Sequence, residues 1–210
     1  MSGPLKDNRL KIGVDVDDVL ADFIGTFRLI CQEVTGRELP ERPNTWMWDN
    51  WNLKPEELEA GWKKVQQTYN FHTTLKSCAD LEGFDFYEFS QKHRLFYITT
   101  RYPNHGDPVE IQTAQWLHWY FNQEFPTVIV TPNKGAVAKA LNLDVFIDDR
   151  AKNLLDVYND TILAGQPIRL FLRDREHNRN VDSELPPAYA YTRVESFKEF
   201  ADSVETSVAV

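Results

Sequence analysis

The chain has 210 residues, 42% of them apolar, enough for one domain or one domain with an insertion, with no need of disulfide or metal staples. Its 23 Lys and Arg against 32 Asp and Glu leave a formal net charge of −9, which repels a phosphate backbone, so no stable nucleic-acid complex is expected. Cys31 and Cys78 form no CxxC pair, which excludes a zinc ribbon or disulfide framework and suits a reducing, cytoplasmic compartment. No apolar leader segment and no run of about 18 uncharged apolar residues occurs, so neither export nor a membrane span is expected.

In chain order, the first apolar run, Leu10 to Val16, reads as a strand and leads into Asp15-Val16-Asp17-Asp18. Asp15 and Asp17 share one side at strand periodicity, where they repel unless a cation or shared proton relieves them, and a divalent metal is the simplest relief. Taken alone, the segment fits a solvated acidic turn with a capping Asp equally well. It is no calcium loop, because Val19 and Leu20 replace the third ligand and the turn glycine. From Leu20 to about residue 90 no strand pattern follows, only helical stretches at Leu20 to Val34, Pro55 to Tyr69 and Asp85 to Lys92 around an aromatic loop. This predicts a helical subdomain, residues 22–90, inserted into a core of residues 1–21 and 91–210. Trp46, Trp48, Trp51, Trp62, Tyr69 and Phe71 fall within it, mostly as its own core.

Leu95 to Ile98 is the second expected strand and ends in Thr99-Thr100-Arg101, where a hydroxyl could donate to a phosphoryl oxygen. Val109 to Phe121 has helical spacing, opened by Asp107 as N-cap and Pro108. The third strand, Thr127 to Val130, leads to Lys134-Gly135 and a helix over Ala136 to Leu141. A lysine at a helix start opposes the macrodipole and glycine is a poor neighbour there, an inconsistency that hints at an anion site. Val145 to Ile147 runs into Asp148-Asp149-Arg150, one of whose carboxylates could complete a metal site with Asp15. After a fifth strand, Ile168 to Leu172, the stretch Arg173 to Arg179 reads as a solvated charged loop. Val194 to Val204 reads as a packing helix followed by a frayed tail. Strands alternating with helices imply an α/β class: a mostly parallel sheet flanked by helices on both faces, with ligands beyond the strands' carboxyl ends.

Four strand endings in the order DxD, Thr, Lys, Asp-Asp resemble the motifs of the haloacid dehalogenase-like hydrolases, which implies a Rossmann-like sheet. The likeness is greatest to the 5'(3')-deoxyribonucleotidases and their bacterial and phage relatives. It runs through Asp15-Val16-Asp17-Asp18-Val19-Leu20-Ala21-Asp22-Phe23, Asn70-Phe71-His72-Thr73-Thr74-Leu75 and Val145-Phe146-Ile147-Asp148-Asp149-Arg150. The resemblance implies Asp15 as nucleophile, Asp17 as acid and base, and Thr99, Thr100 and Lys134 as phosphate-binding residues. It also implies Mg²⁺ held among Asp15, Asp17, Asp148 and Asp149. The insertion would be a cap, with Phe23, Trp46 and Trp48 facing a base or ribose, because the WMWDNW loop is too polar to be wholly core. One departure is Asp18, where that group often has glycine; its carboxylate must turn outward or pair.

The expected activity is magnesium-dependent hydrolysis of nucleoside monophosphates, deoxyribonucleotides above all, through an aspartyl phosphate. A small phosphorylated substrate is the expected partner, and homodimerisation is left open. A sugar-phosphate phosphatase is the alternative, since the core motifs do not specify the leaving group. A phosphorylated signalling module ranks below both, because its Asp would follow a later strand. His72, His93, His105, His118 and His177 lack metalloprotease spacing, and no GxSxG, Walker A or GxGxxG string occurs.

Overall fold

A computed structural model describes residues 9–180 and 190–206. Six strands, β1 (Lys11–Val14), β2 (Arg94–Thr99), β3 (Thr127–Val130), β4 (Val145–Asp148), β5 (Arg169–Arg173) and β6 (Thr192–Val194), form one sheet in the order β3-β2-β1-β4-β5-β6. Every neighbouring pair is parallel. The chain winds outward one way from β1 and the other way from β4, so the crevice that such a reversal opens lies where these two strands end. Helices α1 (Phe23–Thr35), α2 (Pro55–Gln67), α3 (Phe86–Lys92), α4 (Val109–Phe121), α5 (Lys134–Leu141), α6 (Ala151–Asp160) and α7 (Phe197–Thr206) complete the fold. Among the described residues no helix is long and apolar enough to cross a membrane.

The central strands are apolar on both sides because both faces are covered. On β4, Val145 and Ile147 join one apolar cluster with Phe171, Phe197 and Phe200, while Phe146 points into the other with Leu154, Val157 and Leu172. The expected insertion holds α1 and α2, whose interface is an aromatic stack: Phe27 lies 4.6 Å from Trp62 and 5.0 Å from Trp48 between ring centres. Residues 79–90, expected with that insertion, pack against β2 and the helices beside it, with Phe86 6.5 Å from Tyr97 between ring centres. Phe86 stacks on Phe121 at 4.6 Å and on Phe197 at 5.0 Å.

Several local expectations change. The Val194 to Val204 segment contains the end of β6 before α7 begins; a three-residue edge strand, Thr-Arg-Val, is too short to carry a period. The tail beyond residue 206 lies outside the described residues. Helix α1 starts at Phe23 rather than Leu20, because Ala21 forms bridges to Asp17 and Ser77 and Asp22 caps the Gly25 N–H. Asp107 does not cap α4. Its carboxylate accepts from Asn70 Nδ2 at 3.0 Å, and its own N–H donates to Asn70 Oδ1 at 2.7 Å, tying the insertion to the loop before α4. Trp116 Nε1 adds a second tie by donating to the Leu75 carbonyl at 2.7 Å.

Gly135 has a packing reason to be glycine. A Cβ there would lie 2.5 Å from the Asp156 carbonyl oxygen, so α5 and α6 approach backbone to backbone. Gly135→Ala should therefore destabilise the fold by about 1–3 kcal/mol in urea unfolding, against alanine's better helix propensity. Unchanged or increased stability would contradict this packing.

Candidate active site

The site is built on the carboxyl ends of β1, β2 and β4. Asp15 follows β1, and its N–H donates to the Ile147 carbonyl at 3.0 Å, which docks the end of β1 against β4. Lys134, the first residue of α5, turns inward: its Nζ lies 2.6 Å from Asp15 Oδ1 and 2.7 Å from Asp148 Oδ2, and its side chain is only 2% exposed. The lysine that opposes its helix dipole is thus stabilised by two carboxylates, and Asn133 caps the helix by accepting from Ala136 N. Lys134 is held firmly protonated by those partners, which outweigh the burial that opposes its charge.

Asp15, Asp148 and Asp149 are all buried, and each offers an oxygen within 4.8 Å of the others. Three carboxylates against one ammonium leave an excess of two negative charges in a dry site. Burial, only partly offset by Lys134 and worsened by Asp148 and Asp149, pushes the Asp15 carboxyl well above the usual range. Asp148 is raised for the same leading reason. Such a cluster holds either protons or a cation, and an all-oxygen donor set fits a hard divalent ion. The two acidic residues at the end of β4 differ in their commitments. Asp148 accepts from Lys134, from Arg150 N at 2.8 Å and from Asn153 Nδ2 at 3.0 and 3.1 Å. Asp149 Oδ2 lies 2.9 Å from His177 Nε2, but in a geometry that leaves both atoms without a hydrogen bond.

Asp17 stands apart from the carboxylate group. Arg101, from the end of β2, grips it with Nε to Oδ2 at 2.9 Å and Nη2 to Oδ1 at 2.6 Å, and Thr113 Oγ1 accepts from the remaining Nη1 at 2.9 Å. Burial alone would raise the Asp17 carboxyl, but this bidentate pair holds it below the usual range. The side-chain metal role expected for Asp17 thus meets a carboxylate already committed to Arg101. Thr99 and Thr100 also separate: the Thr100 hydroxyl donates to the Thr131 carbonyl at 2.7 Å, whereas the buried Thr99 Oγ1 has no partner among the described residues.

These groups and the insertion enclose one cavity of about 400 Å³. Asp15, Asp17, Thr99, Lys134 and Asp149 line its polar side; Phe23, Trp48 and Trp62 line its apolar side. Phe23 stacks on Phe27 and Trp62 at 5.7 and 5.8 Å, fixed by the insertion's core yet facing the cavity. Trp48 is both cavity wall and core, 5.7 Å from Trp51. Trp46 also lines the cavity, and the Arg150 guanidinium sits 4.3 Å over its ring, with His177 meeting it edge-on.

Asp18 has φ of +57°, the left-handed conformation that glycine adopts without penalty. Its buried carboxylate pairs inward, accepting from Ile24 N at 3.3 Å with Arg42 Nη1 at 3.9 Å. The Arg173 to Arg179 stretch is not a solvated loop. Arg173 is buried against Asp80 at 2.7 Å, Arg175 donates to the Asp18 carbonyl at 2.7 Å, and Asn178 donates to the Asp149 carbonyl at 2.7 Å. The segment braces both acidic turns. Sequence reasoning also gave no role to Arg101 or His72. The former lies beside Thr99-Thr100; the latter stands in the resembling segment Asn70 to Leu75 but lacks metal-ligand spacing. His72 is 3% exposed and lines the cavity.

A family model described as 5' nucleotidase, deoxy (pyrimidine), cytosolic type C protein matches residues 8–184. No curated protein matches the sequence. Among solved structures, a haloacid dehalogenase-like hydrolase from Streptococcus pneumoniae shares 14% identity over 93% of this chain and 98% of its own, with a TM-score of 0.54. A family hydrolase from Deinococcus radiodurans, solved with phosphate and sodium, shares 12% over 95% and 97%, with a TM-score of 0.57. CbbY from Rhodobacter sphaeroides, in complex with phosphate, shares 14% over 90% and 95%, at 0.50. At these identities the likeness is one of fold.

Burial, and then the charge of Arg101, lower His72 from its ordinary 6.5 to about 4 despite the opposing charge of Asp17. Above pH 6.5 the ring is neutral folded or unfolded and contributes nothing. As the pH falls toward 4 the unfolded chain takes up a proton that the folded chain refuses, so stability is lost, on the order of 3 kcal/mol once below 4. His72→Phe should lose less stability than the parent chain between pH 6.5 and 4 in urea titrations. Parallel losses would show that His72 is not buried neutral.

Proposed function

The chain belongs to the family described as 5' nucleotidase, deoxy (pyrimidine), cytosolic type C, among the haloacid dehalogenase-like hydrolases. On that footing we propose that it is a magnesium-dependent phosphomonoesterase for nucleoside monophosphates, deoxyribonucleotides above all, working through an aspartyl phosphate on Asp15. The observation that carries this reading is the single cavity in which Asp15, Asp17, Thr99 and Lys134 face aromatic rings of the insertion. A nucleoside phosphate has the same two-sided character, with an anionic end and a flat, mostly apolar end.

In this reading Lys134 orients Asp15 for in-line attack on phosphorus and shares the charge of the phosphoryl oxygens. Thr99 Oγ1, buried and unpaired, donates to one of those oxygens. Asp15, Asp148 and Asp149 would hold Mg²⁺, which supplies the positive charge that lets a dianion approach an acidic chain. Asp149, with the less committed carboxylate, is the better ligand of the two at the end of β4. Asp17 protonates the departing alkoxide and later takes a proton from the water that cleaves the acyl phosphate, restoring Asp15. Arg101 fixes its carboxylate for both tasks. An arriving phosphate competes for that guanidinium and raises the proton affinity of Asp17 when an acid is needed. Phe23 and Trp48 offer faces to the base, while Trp46 closes the rim over Arg150.

Phosphate release should be measured on ribo- and deoxyribonucleoside monophosphates and on sugar phosphates, with magnesium or chelator, for the parent chain and Asp15→Asn. Magnesium-dependent turnover of nucleotides is expected, at least about 10³-fold lower in the variant. Turnover that survives chelation or the substitution would overturn the chemistry, and a preference for sugar phosphates would overturn the substrate class.

A further inference from the structure

His72 sits in the short turn Phe71–Thr73, where the insertion meets the loop after β2. Its backbone N–H donates to Gln112 Oε1 at 3.1 Å, and fully buried Gln112 is itself held by Asn104 Oδ1 at 2.8 Å and the Asp107 carbonyl at 2.6 Å. The Asn70–Asp107 tie fixes the residues on either side of this contact. The ring is therefore positioned by a rigid network rather than by a mobile loop.

Its two nitrogens are in different situations. Nε2 lies 3.2 Å from the Tyr102 carbonyl oxygen. A carbonyl only accepts, so Nε2 carries the ring proton, and in the neutral ring Nδ1 is then an acceptor. Nδ1 is buried and has no hydrogen-bond partner among the described residues. An orphaned buried acceptor costs about 1–3 kcal/mol, a cost removed by anything that donates to it. His72 borders the cavity shared with Asp15 and Asp17, and it feels the charges of both Asp17 and Arg101. It therefore lies near where the ester oxygen of a substrate must meet its acid.

We propose that His72 is a specificity-determining residue whose Nδ1 accepts a hydrogen bond from the free sugar hydroxyl of the substrate. The inference rests on the nucleotidase reading and deepens it. A deoxyribonucleoside monophosphate has one free sugar hydroxyl, the 3'-hydroxyl when the phosphate is on the 5' carbon. That hydroxyl is on the ring carbon directly bonded to the one bearing the phosphorylated CH₂, so a group close to the acid can reach it. Phe23, Trp48 and Trp62 give the flat base a surface that every base can use. His72 instead offers a directional contact that a substrate without the hydroxyl leaves unmade.

The test compares kcat/KM for thymidine 5'-monophosphate and its 3'-deoxy analogue, with p-nitrophenyl phosphate as a substrate that has no sugar. The parent chain should prefer the hydroxyl-bearing nucleotide by about 10-fold to 100-fold. His72→Gln puts its amide where Nε2 was and should bring the ratio close to 1. His72→Asn puts a carbonyl oxygen where Nδ1 was and should keep a clear preference. Because the readout is a ratio, a general loss of activity cancels. A parent ratio near 1 overturns the contact without any variant, and so does a glutamine variant that keeps the parent ratio. Turnover of p-nitrophenyl phosphate with neither nucleotide accepted would instead reject the nucleotidase reading from which the contact was argued.

Discussion

Three buried carboxylates around one ammonium constrain everything else at the head of the sheet. Asp15, Asp148 and Asp149 are brought together because β1 and β4 are adjacent and parallel, Asp15 directly following β1, Asp148 ending β4 and Asp149 following it. Lys134 reaches them from the start of α5, which is possible because Gly135 lets that helix lie close against α6. Neither the lysine nor the carboxylates would tolerate this burial alone; removing one partner leaves an uncompensated charge. With the lysine present three carboxylates still outnumber one ammonium, and under the proposed function this imbalance is what would draw in a cation and, through it, a phosphate ester.

The second constraint is the join between insertion and core. Asn70, Leu75 and His72 are pinned to Asp107, Trp116 and Gln112. The aromatic stack of Phe23, Phe27, Trp48 and Trp62 thereby keeps a fixed relation to the sheet edge that carries Asp15 and Asp17. Preorganisation of this kind lowers the cost of ordering a substrate and favours geometric selection of the leaving group. The Arg101 grip on Asp17 belongs to the same edge, and Thr113 of α4 supports it.

The acidic turns, Lys134 and the parallel alternation are legible in the sequence because each is local: an apolar run of strand length followed at once by a polar residue of distinctive type. Thr99 and Thr100 look equivalent in sequence, and only the third dimension separates them, by giving the Thr100 hydroxyl to the Thr131 carbonyl. Arg101 is given no role, and Arg173 and Asn178 read as part of a solvated loop, because their partners, Asp17, Asp80 and the Asp149 carbonyl, lie 84, 93 and 29 positions away. Asp107 has the sequence signature of a cap, but a distant Asn70 competes for its carboxylate. The lone edge strand β6 is too short to show any pattern, and α3 shows its period but not the surface it packs on. What escapes the sequence is therefore mostly long-range pairing of charged groups.

Under the proposed mechanism Asp15 carries the phosphoryl group during turnover. Brief reaction with ³²P-labelled deoxynucleotide in magnesium, followed by acid quenching and proteolytic mapping, would locate it. An acid-stable, base-labile label is expected on the peptide containing Asp15, chased away by unlabelled substrate and absent from Asp15→Asn. Label on another peptide, or sustained turnover by Asp15→Asn, would contradict it.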